Sequence, residues 1–528
     1  MPKRIYFFYG LLLIGWLLIL GRLFELQVIY GAKNRSLAEG NRIRKVVLPA
    51  PRGLIYDRQG KELVVNVPVY RLCSEKEKNC QPITRDEALK REAQGNISGE
   101  LRVAIGRQYP YGQTLAHLLG YLGEASVEEV EKKQAQLGDL LGRMGVEQEY
   151  ETVLRGQPGG EVFEVNAQEE KIRELGATQP KTGQDLKLSI DAELSKIAFE
   201  ALSGRSGAVV ATDAKTGQVL VLVSSPSFNP EKISPEVLTD PNQPLFNRAL
   251  AGLYPPGSTF KIVTAAAGLE EGKIDRETTY EDTGQIKVGD YIYNNWYFTQ
   301  YGRTEGMIGL VQALKRSTDT FFYKVGEWVG PTKLSEWGKA FGLGEVTGLD
   351  LPSEAAGLVP SPEWKEKTLG ERWFLGNTYH FAIGQENLLT TPLQINMMMS
   401  VIANNGRLCP PRVLQDTESK SQCQDLQLNP ETLVLIKEGL KEACSSGGTA
   451  FPFFDFEPRV AGKTGTAEFG DKENRTHAWF TAFAPVDPPG AGPQIVVTAL
   501  VEAGGEGSYV AAPIVKKVIE AWFREVKF

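Results

Sequence analysis

A serine and a lysine with the spacing of an activated nucleophile lie near the middle of the chain. Ser258 and Lys261 form its only Ser-x-x-Lys, after Pro255-Pro256-Gly257 and before an apolar run over residues 262–267. On a helix these two side chains share one face, so a partly neutral lysine could take the serine proton. The positive end of the helix would favour the developing charge. The pattern predicts an active-site serine at a helix start; the structural alternative is a capping serine beside a surface lysine.

Two further motifs follow in chain order. Ser317-Thr318-Asp319 comes first, and Lys463-Thr464-Gly465-Thr466 comes second. Lys-Thr-Gly also occurs at Lys181 and Lys215, but both precede the nucleophile, and Lys215 lies between two apolar runs that predict a hairpin. Only the copy at Lys463 completes an ordered set of three motifs, the order that serine acyl transferases use.

The composition excludes several other classes of function. The length of 528 residues predicts two or three domains. The balance of 58 basic and 65 acidic side chains predicts no nucleic-acid-binding surface. Its three histidines, His117, His380 and His477, have no metal-ligand spacing with one another or with cysteines. We therefore expect neither a metal site nor a cofactor.

The first thirty residues predict a membrane anchor. Lys3 and Arg4 precede an apolar segment from Ile5 to Ile29, which only Arg22 and Glu25 interrupt near one end. This length can span a bilayer, and the basic tip favours a cytoplasmic N-terminus with the remainder outside. We read it as a retained anchor rather than a cleaved signal, because no small-x-small cleavage site follows it.

The cysteines allow two bridges in an oxidising compartment. Cys73 and Cys80 bracket one short polar loop, and Cys409 and Cys423 bracket another, which leaves Cys444 over. Spacing alone does not place two Cβ atoms within reach, so each bridge stays open.

The pattern after the anchor predicts two further domains. A turn-rich stretch over residues 176–183 reads as a linker. It would separate a pedestal at 31–183 from a catalytic domain at 184–528, which would begin with a strand from Leu186 to Asp191. That domain would end with a strand at residues 495–501 and an amphipathic helix from Ile514 to Lys527.

The pedestal motifs and the three catalytic motifs together resemble class B penicillin-binding proteins. Arg52-Gly53-Leu54-Ile55-Tyr56-Asp57-Arg58, Arg107-Gln108-Tyr109-Pro110 and His117-Leu118-Leu119-Gly120-Tyr121 carry the resemblance in the pedestal. It implies one transmembrane helix, a mostly β pedestal and an α+β transpeptidase domain of the penicillin-binding and serine β-lactamase type. It also implies a D,D-transpeptidase that cross-links peptidoglycan stem peptides, binds β-lactams and sits in the bacterial cytoplasmic membrane. A polytopic glycosyltransferase would be its membrane partner.

The resemblance also implies a role for each site residue. Ser258 would be the nucleophile, and Lys261 its base, with a pKa lowered by desolvation and by Lys463. Ser317 would relay the proton to the leaving amine. The hydroxyls of Thr464 and Thr466, beside Gly465, would hold the substrate carboxylate. The backbone N–H groups of Ser258 and Thr466 would form an oxyanion hole.

Two positions depart from the broader family pattern. Asp319 stands where Asn is usual, and its carboxylate could pair with Lys261 and raise the lysine pKa. Asp here, together with the segment His477-Ala478-Trp479-Phe480, resembles the elongation-type members, so we expect a role in side-wall synthesis. Glu386 stands where Gly is common. Two roles stay open for it: it could shape a loop near the cleft, or it could be a solvated surface carboxylate.

Two other functions stay open from the sequence. In a D,D-carboxypeptidase or β-lactamase, water would take the acyl group. In a non-catalytic penicillin-binding sensor or scaffold, the motifs would bind without turnover. Neither the acceptor residue of the stem peptide nor the oligomeric state follows from the sequence.

Overall fold

The structure is a computed structural model. It describes residues 3–73, 80–94, 100–132, 139–166, 168, 170–415, 423–470, 472–486 and 494–525.

Up to residue 184, the 22-residue helix α1 is followed by a series of mostly short helices and strands. The helices are α1 Lys3–Phe24, α2 Gly31–Arg42, α3 Arg85–Gln94, α4 Ala116–Leu119, α5 Val127–Glu131, α6 Gly145–Glu149 and α7 Glu151–Leu154. The strands are β1 Ile43–Leu48, β2 Ile55–Tyr56, β3 Glu62–Cys73, β4 Cys80–Ile83, β5 Glu100–Gln108, β6 Leu122–Glu124, β7 Leu140–Gly142, β8 Gly159–Val165 and β9 Lys171–Thr178.

Longer helices and a large sheet make up the rest of the chain. The strands are β10 Leu186–Lys187, β11 Gly207–Asp213, β12 Val219–Ser225, β13 Thr279–Asp282, β14 Gln285–Val288, β15 Tyr291–Asn294, β16 Gly306–Gly309, β17 Arg407–Leu408, β18 Gln424–Asp425, β19 Ala461–Glu468, β20 Thr476–Ala484 and β21 Ile495–Val501. The helices are α8 Ala192–Leu202, α9 Pro235–Thr239, α10 Lys261–Glu270, α11 Trp296–Tyr301, α12 Leu310–Arg316, α13 Asp319–Val329, α14 Pro331–Ala340, α15 Pro362–Leu369, α16 Leu375–Ala382, α17 Pro392–Ala403, α18 Pro430–Ala443 and α19 Ala511–Glu525.

The chain divides into two compact units. The first comprises Met1–Gly53, Pro68–Gly106 and Thr152–Gln184, and it contains the antiparallel sheet β1-β8-β9. The second comprises Leu54–Val67, Arg107–Glu151 and Asp185–Phe528. Part of the segment expected to form the pedestal therefore packs with the body that carries the catalytic motifs. The assignment of 31–183 and 184–528 as separate functional domains stays a prediction.

The central sheet of the second unit is antiparallel, with the strand order β12-β11-β21-β20-β19. Strands β12, β11, β21 and β20 are buried almost throughout because helices cover each side, whereas Thr466 and Glu468 on the edge strand β19 are exposed. Alternate residues point to opposite faces of a strand, so Trp479 and Phe483 of β20 join the core beneath α10, α13 and α17. Phe480 and Ala482 join the core beneath α8 and α19 on the other face. This layering places β19 at a sheet edge beside the turn that precedes α10.

Several predicted elements are confirmed. The strand at residues 495–501 is β21, and the hairpin around Lys215 joins β11 to β12. Asp213 forms that turn, since its Oδ1 accepts the N–H groups of Lys215 and Thr216 at 3.0 and 2.9 Å. The last helix is also present as α19, but it begins at Ala511, three residues before the expected Ile514. Lys527 lies outside the described residues.

Two boundary predictions are wrong in part. The expected linker at 176–183 is still strand up to Thr178, because β9 pairs with β8 to that point. The strand expected from Leu186 to Asp191 ends at Lys187. Asp191 instead caps α8, accepting the N–H of Leu194 at 3.0 Å.

The anchor and one disulfide agree with the sequence. Ile5–Ile29 is long and apolar enough to cross a membrane, and Arg22 pairs with Glu25 at 2.5 Å. Cys409 and Cys423 form a disulfide, and Cys444 is a free, buried thiol. The backbone pairs Cys73 with Cys80 across β3 and β4, but their side chains lie outside the described part. That bridge stays a prediction.

Candidate active site

The nucleophile candidate lies in a tight turn at the start of a buried helix. Ser258 belongs to the 3₁₀ turn Gly257–Phe260, which runs directly into α10. Gly257 has φ +54°, and its N–H donates to the carbonyl of Gly384 at 2.8 Å. Ser258 is partly exposed, whereas Lys261, one turn later, is fully buried. The predicted helix start is confirmed, and its first turn is the tighter 3₁₀ form.

Lys261 is a buried cation with three oxygen partners. Its Nζ donates to Asp319 Oδ1 at 2.6 Å, to the Ser317 carbonyl at 2.7 Å and to Ser317 Oγ at 3.2 Å. Burial lowers the pKa of Lys261, and the adjacent Asp319 carboxylate opposes this without reversing it. The pKa of Lys261 is therefore lowered, as the sequence analysis expected, with burial as the main cause.

Lys463 lies on the other side of Ser317. Its Nζ donates to Ser317 Oγ at 2.8 Å and to the Thr464 carbonyl at 3.1 Å. Burial holds the pKa of Lys463 well below its usual range, and the positive charge of Lys261 lowers it further. Because repulsion between two like charges is mutual, it disfavours the state in which Lys261 and Lys463 are both charged.

Ser317 joins the two lysines. It directly follows α12 and has a backbone φ of +55°. Its hydroxyl accepts hydrogen bonds from the Nζ atoms of Lys261 and Lys463. Residues other than glycine rarely adopt this left-handed backbone conformation, and those that do are often found at functional sites. A hydroxyl between two lysines with lowered pKa values can pass a proton from one to the other.

Asp319 is fixed by partners that the sequence motifs did not indicate. Its Oδ2 accepts the N–H of Trp296 at 3.0 Å, and its own N–H donates to Asn295 Oδ1 at 3.1 Å. Asn295 is fully buried and donates to Asp282 Oδ2 at 3.0 Å. The loop before α11 therefore holds the carboxylate against Lys261. No signal in the sequence pointed to these residues, because they lie more than twenty positions before Asp319.

The edge strand β19 forms the opposite wall of the site. A Cβ atom on Gly465 would lie 3.0 Å from the Pro256 carbonyl and 2.9 Å from Trp479 Cβ, so glycine permits the close approach to the nucleophile turn. Thr464 is buried and its Oγ1 donates to Thr449 Oγ1 at 3.0 Å, while Thr466 is exposed. The predicted location of Lys463 to Thr466 on a strand beside the nucleophile is confirmed.

Among the described residues, the structure brings most of the predicted catalytic residues into one hydrogen-bonded group, which the Ser258 hydroxyl does not join through Lys261. Lys261, Ser317, Asp319 and Lys463 form one hydrogen-bonded group. Within the described part of the chain, no hydrogen bond joins the Ser258 hydroxyl to Lys261. Apo active sites commonly show such bonds long or unformed before substrate binds.

Glu386, the second departure, is not a solvated surface carboxylate. It has φ +66°, its side chain is 12% exposed, and it forms an ion pair with the buried Lys365 at 3.0 Å. It lies in the loop that contacts Gly257 through Gly384.

Two family models match the chain. Residues 207–520 match the penicillin-binding protein transpeptidase domain, and residues 96–188 match the penicillin-binding protein dimerisation domain. The first match covers more than half of the chain.

Curated relatives match along nearly the whole length. Peptidoglycan D,D-transpeptidase MrdA of Acinetobacter baumannii is 33% identical over 98% of this chain and 87% of that protein. The Escherichia coli protein of the same name is 33% identical over 95% of this chain and 91% of its own length.

Solved structures agree. PBP2 in a complex with MreC from Helicobacter pylori has a TM-score of 0.80 at 29% identity, covering 91% of this chain and 98% of that one. A chain of a peptidoglycan synthase complex that coordinates polymerization and crosslinking has a TM-score of 0.81 at 30% identity, covering 100% and 99%. The chain therefore belongs to the penicillin-binding protein transpeptidase family, among the class B, elongation-type peptidoglycan D,D-transpeptidases.

Proposed function

We propose that Ser258 is the nucleophile with which this D,D-transpeptidase cross-links stem peptides during cell-wall elongation. The observation that carries the assignment is the Ser317 hydroxyl held between two buried lysines, next to the turn of the partly exposed Ser258. Burial disfavours the charged form of both lysines, which favours a neutral amine that can act as the base.

In the first half-reaction, Ser258 Oγ attacks the penultimate D-Ala carbonyl carbon of a donor stem. Lys261 takes the hydroxyl proton as the new C–O bond forms. The backbone N–H groups of Ser258 and Thr466 stabilise the oxyanion, the contribution that usually matters most in acyl transfer. The nucleophile turn and β19 approach closely here, since a Cβ on Gly257 would be 2.9 Å from the Thr466 carbonyl oxygen.

The peptide C–N bond then breaks. The proton passes from Lys261 through Ser317 to the departing nitrogen, and the terminal D-Ala leaves as a neutral amine. Lys463 supplies positive potential, and the hydroxyls of Thr464 and Thr466 hold the D-Ala carboxylate. In the second half-reaction an amino group of a neighbouring stem attacks the ester, its proton returns through the same groups to Ser258 Oγ, and the serine is regenerated.

The location and partner are part of the same proposal. One N-terminal segment, Ile5–Ile29, is long and apolar enough to span a membrane, and Lys3 and Arg4 favour keeping the N-terminus in the cytoplasm. The catalytic body would then lie outside the cytoplasmic membrane. Because one solved relative belongs to a peptidoglycan synthase complex, we infer that a polytopic glycosyltransferase contacts the anchor and the pedestal.

The test is the intact mass of the full chain in detergent after incubation with benzylpenicillin. We expect one stable adduct on the wild type and none on Ser258→Ala. Ser227→Ala is the matched control: Ser227 begins a Ser-x-Asn outside the ordered motifs, and its hydroxyl bonds the Gln113 carbonyl, so its adduct should remain.

Other outcomes would point to the alternatives. Hydrolysis of nitrocefin with appreciable turnover would favour a β-lactamase or carboxypeptidase. Rescue of a depletion strain by the Ser258→Ala chain would favour a scaffold.

A further inference from the structure

The loop after α16 contacts both halves of the candidate site. The carbonyl of Gly384 accepts the Gly257 N–H at 2.8 Å, on the nucleophile turn. In the amide orientation that satisfies both of its polar atoms, Gln385 donates to the Glu468 carbonyl at 3.1 Å and accepts the Glu468 N–H at 3.2 Å. Glu468 ends β19. Gly384 and Gln385, here called the clip, therefore link the nucleophile turn to the strand of Lys463 and Thr466.

The clip tolerates little displacement. A Cβ on Gly384 would lie 2.0 Å from the Gly257 carbonyl oxygen, so the two backbones are in direct contact. The clip is also tied to α16, because the Gln385 N–H donates to the His380 carbonyl at 2.9 Å. A shift of the clip would be passed on to Gly257, the residue before the nucleophile.

Glu386 directly follows the clip and has an unfavourable backbone conformation. Its φ of +66° lies in the left-handed region, which glycine adopts without steric cost and a side chain does not. Hydrogen bonds to its carboxylate offset the cost of this backbone conformation. Oε1 accepts from Asn377 Nδ2 at 2.9 Å, Lys365 Nζ at 3.0 Å and Asn387 Nδ2 at 3.2 Å.

These donors come from separate elements. Asn377 lies in the first turn of α16, and Lys365 lies on α15 and is only 5% exposed. Burying an ammonium group is costly unless it is paired, so Lys365 has a strong preference for a carboxylate at this place. Its second carboxylate neighbour, Glu371, is 3.5 Å away and 63% exposed.

We propose that Glu386 and Lys365 are positioning residues that hold the clip, and through it the nucleophile turn and β19, at the reacting distance. This inference rests on the proposed function of Ser258. Displacements of about 1 Å far from the reacting atoms can reduce a rate by about a hundredfold. The pair therefore acts on the acylation step itself and not only on folding.

The experiment measures the acylation rate constant and the affinity for the non-covalent complex separately, with a fluorescent penicillin and the full chain in detergent. Each variant is assayed well below its own Tm. Glu386→Ala should lower the acylation rate constant about tenfold while changing the affinity less than threefold. Glu371→Ala is the matched control, because it removes an exposed carboxylate from the same lysine, and it should acylate at the wild-type rate.

The double variant Lys365→Met with Glu386→Gly separates positioning from stability. It removes the buried charge and relieves the left-handed conformation, so it should fold even if Glu386→Ala does not. We expect its acylation rate constant to stay at least fivefold below wild type. A wild-type rate constant in the double variant would overturn the inference and leave a purely structural ion pair. A wild type that is not acylated at all would instead overturn the proposed function.

Discussion

Asp319 and the two lysines set the protonation of the site at the residue scale. Lys261 is fully buried, and its nearest charged partner is the Asp319 carboxylate at 2.6 Å. Burial disfavours the ammonium and the carboxylate favours it, with burial the larger effect. Asp319 therefore keeps Lys261 a weaker acid, and a stronger base, than burial alone would make it.

The Asp319→Asn variant should move the pH profile of acylation. Without the carboxylate the pKa of Lys261 falls further, so the neutral lysine is present at lower pH. The rising limb of the acylation rate against pH should therefore shift to lower pH. The acylation rate with a chromogenic β-lactam, measured at a series of pH values, gives this profile.

Glu468→Gln provides the control for that profile, since it removes an exposed carboxylate from β19. Its profile should match wild type. An Asp319→Asn limb that stays in place, or moves to higher pH, would show that Lys261 is not the group whose deprotonation starts acylation.

The catalytic roles of single residues could be predicted from the sequence, but the residues that hold them in place could not. Ser258, Lys261, Ser317 and Lys463 stand in short motifs whose order carries information, and the structure brings the last three into one hydrogen-bonded group. Their supports could not be found this way. Asn295, for example, contacts Asp319 only because the chain folds back over 24 positions.

At the scale of elements, the site depends on how closely β19 approaches the turn before α10. Gly465 lies where the two meet, and its missing side chain leaves no free space: a Cβ would be 3.0 Å from both the Pro256 carbonyl and Thr259 Cγ2. Contacts this short force the strand away from the turn.

Gly465→Ala should therefore reduce acylation at least tenfold, because Thr466 and Lys463 move away from Ser258. The second-order acylation rate with a fluorescent penicillin measures this. Gly176→Ala on β9 is a matched strand control, since a Cβ there meets nothing within 4 Å. Equal rates in the two variants would mean that the close approach of the strand is not required.

Elements with a simple burial pattern were predictable, and those set by partners were not. The run at residues 495–501 is apolar apart from Thr498, because β21 is buried on both faces. Residues 176–178 carry a glycine and look like a turn, yet β8 supplies a hydrogen-bonding partner and they form strand. The segment after Lys187 reads as strand, but Asp191 offers its side chain to the start of α8.

At the scale of the whole molecule, the cysteines report on the compartment. Disulfides persist outside the cytoplasm and are rare within it, and the bridge between Cys409 and Cys423 lies in the same unit as the candidate site. Cys444 is buried, and burial raises the pKa of its thiol, which makes it unreactive while the chain is folded. An apolar N-terminal segment followed by a bridged body fits a domain outside the membrane.

Alkylation of the chain purified from membranes tests this arrangement. After unfolding without reduction, iodoacetamide should modify Cys444 and leave Cys409 and Cys423 unmodified, as peptide mass mapping would record. Cys423→Ser is the control, since it must expose Cys409 to the reagent. The same map reads Cys73 and Cys80, which we predict to be unmodified. Alkylation of both Cys409 and Cys423 in the wild-type chain would place this body in a reducing compartment and contradict the proposed topology, because the bridge forms only where thiols are oxidised.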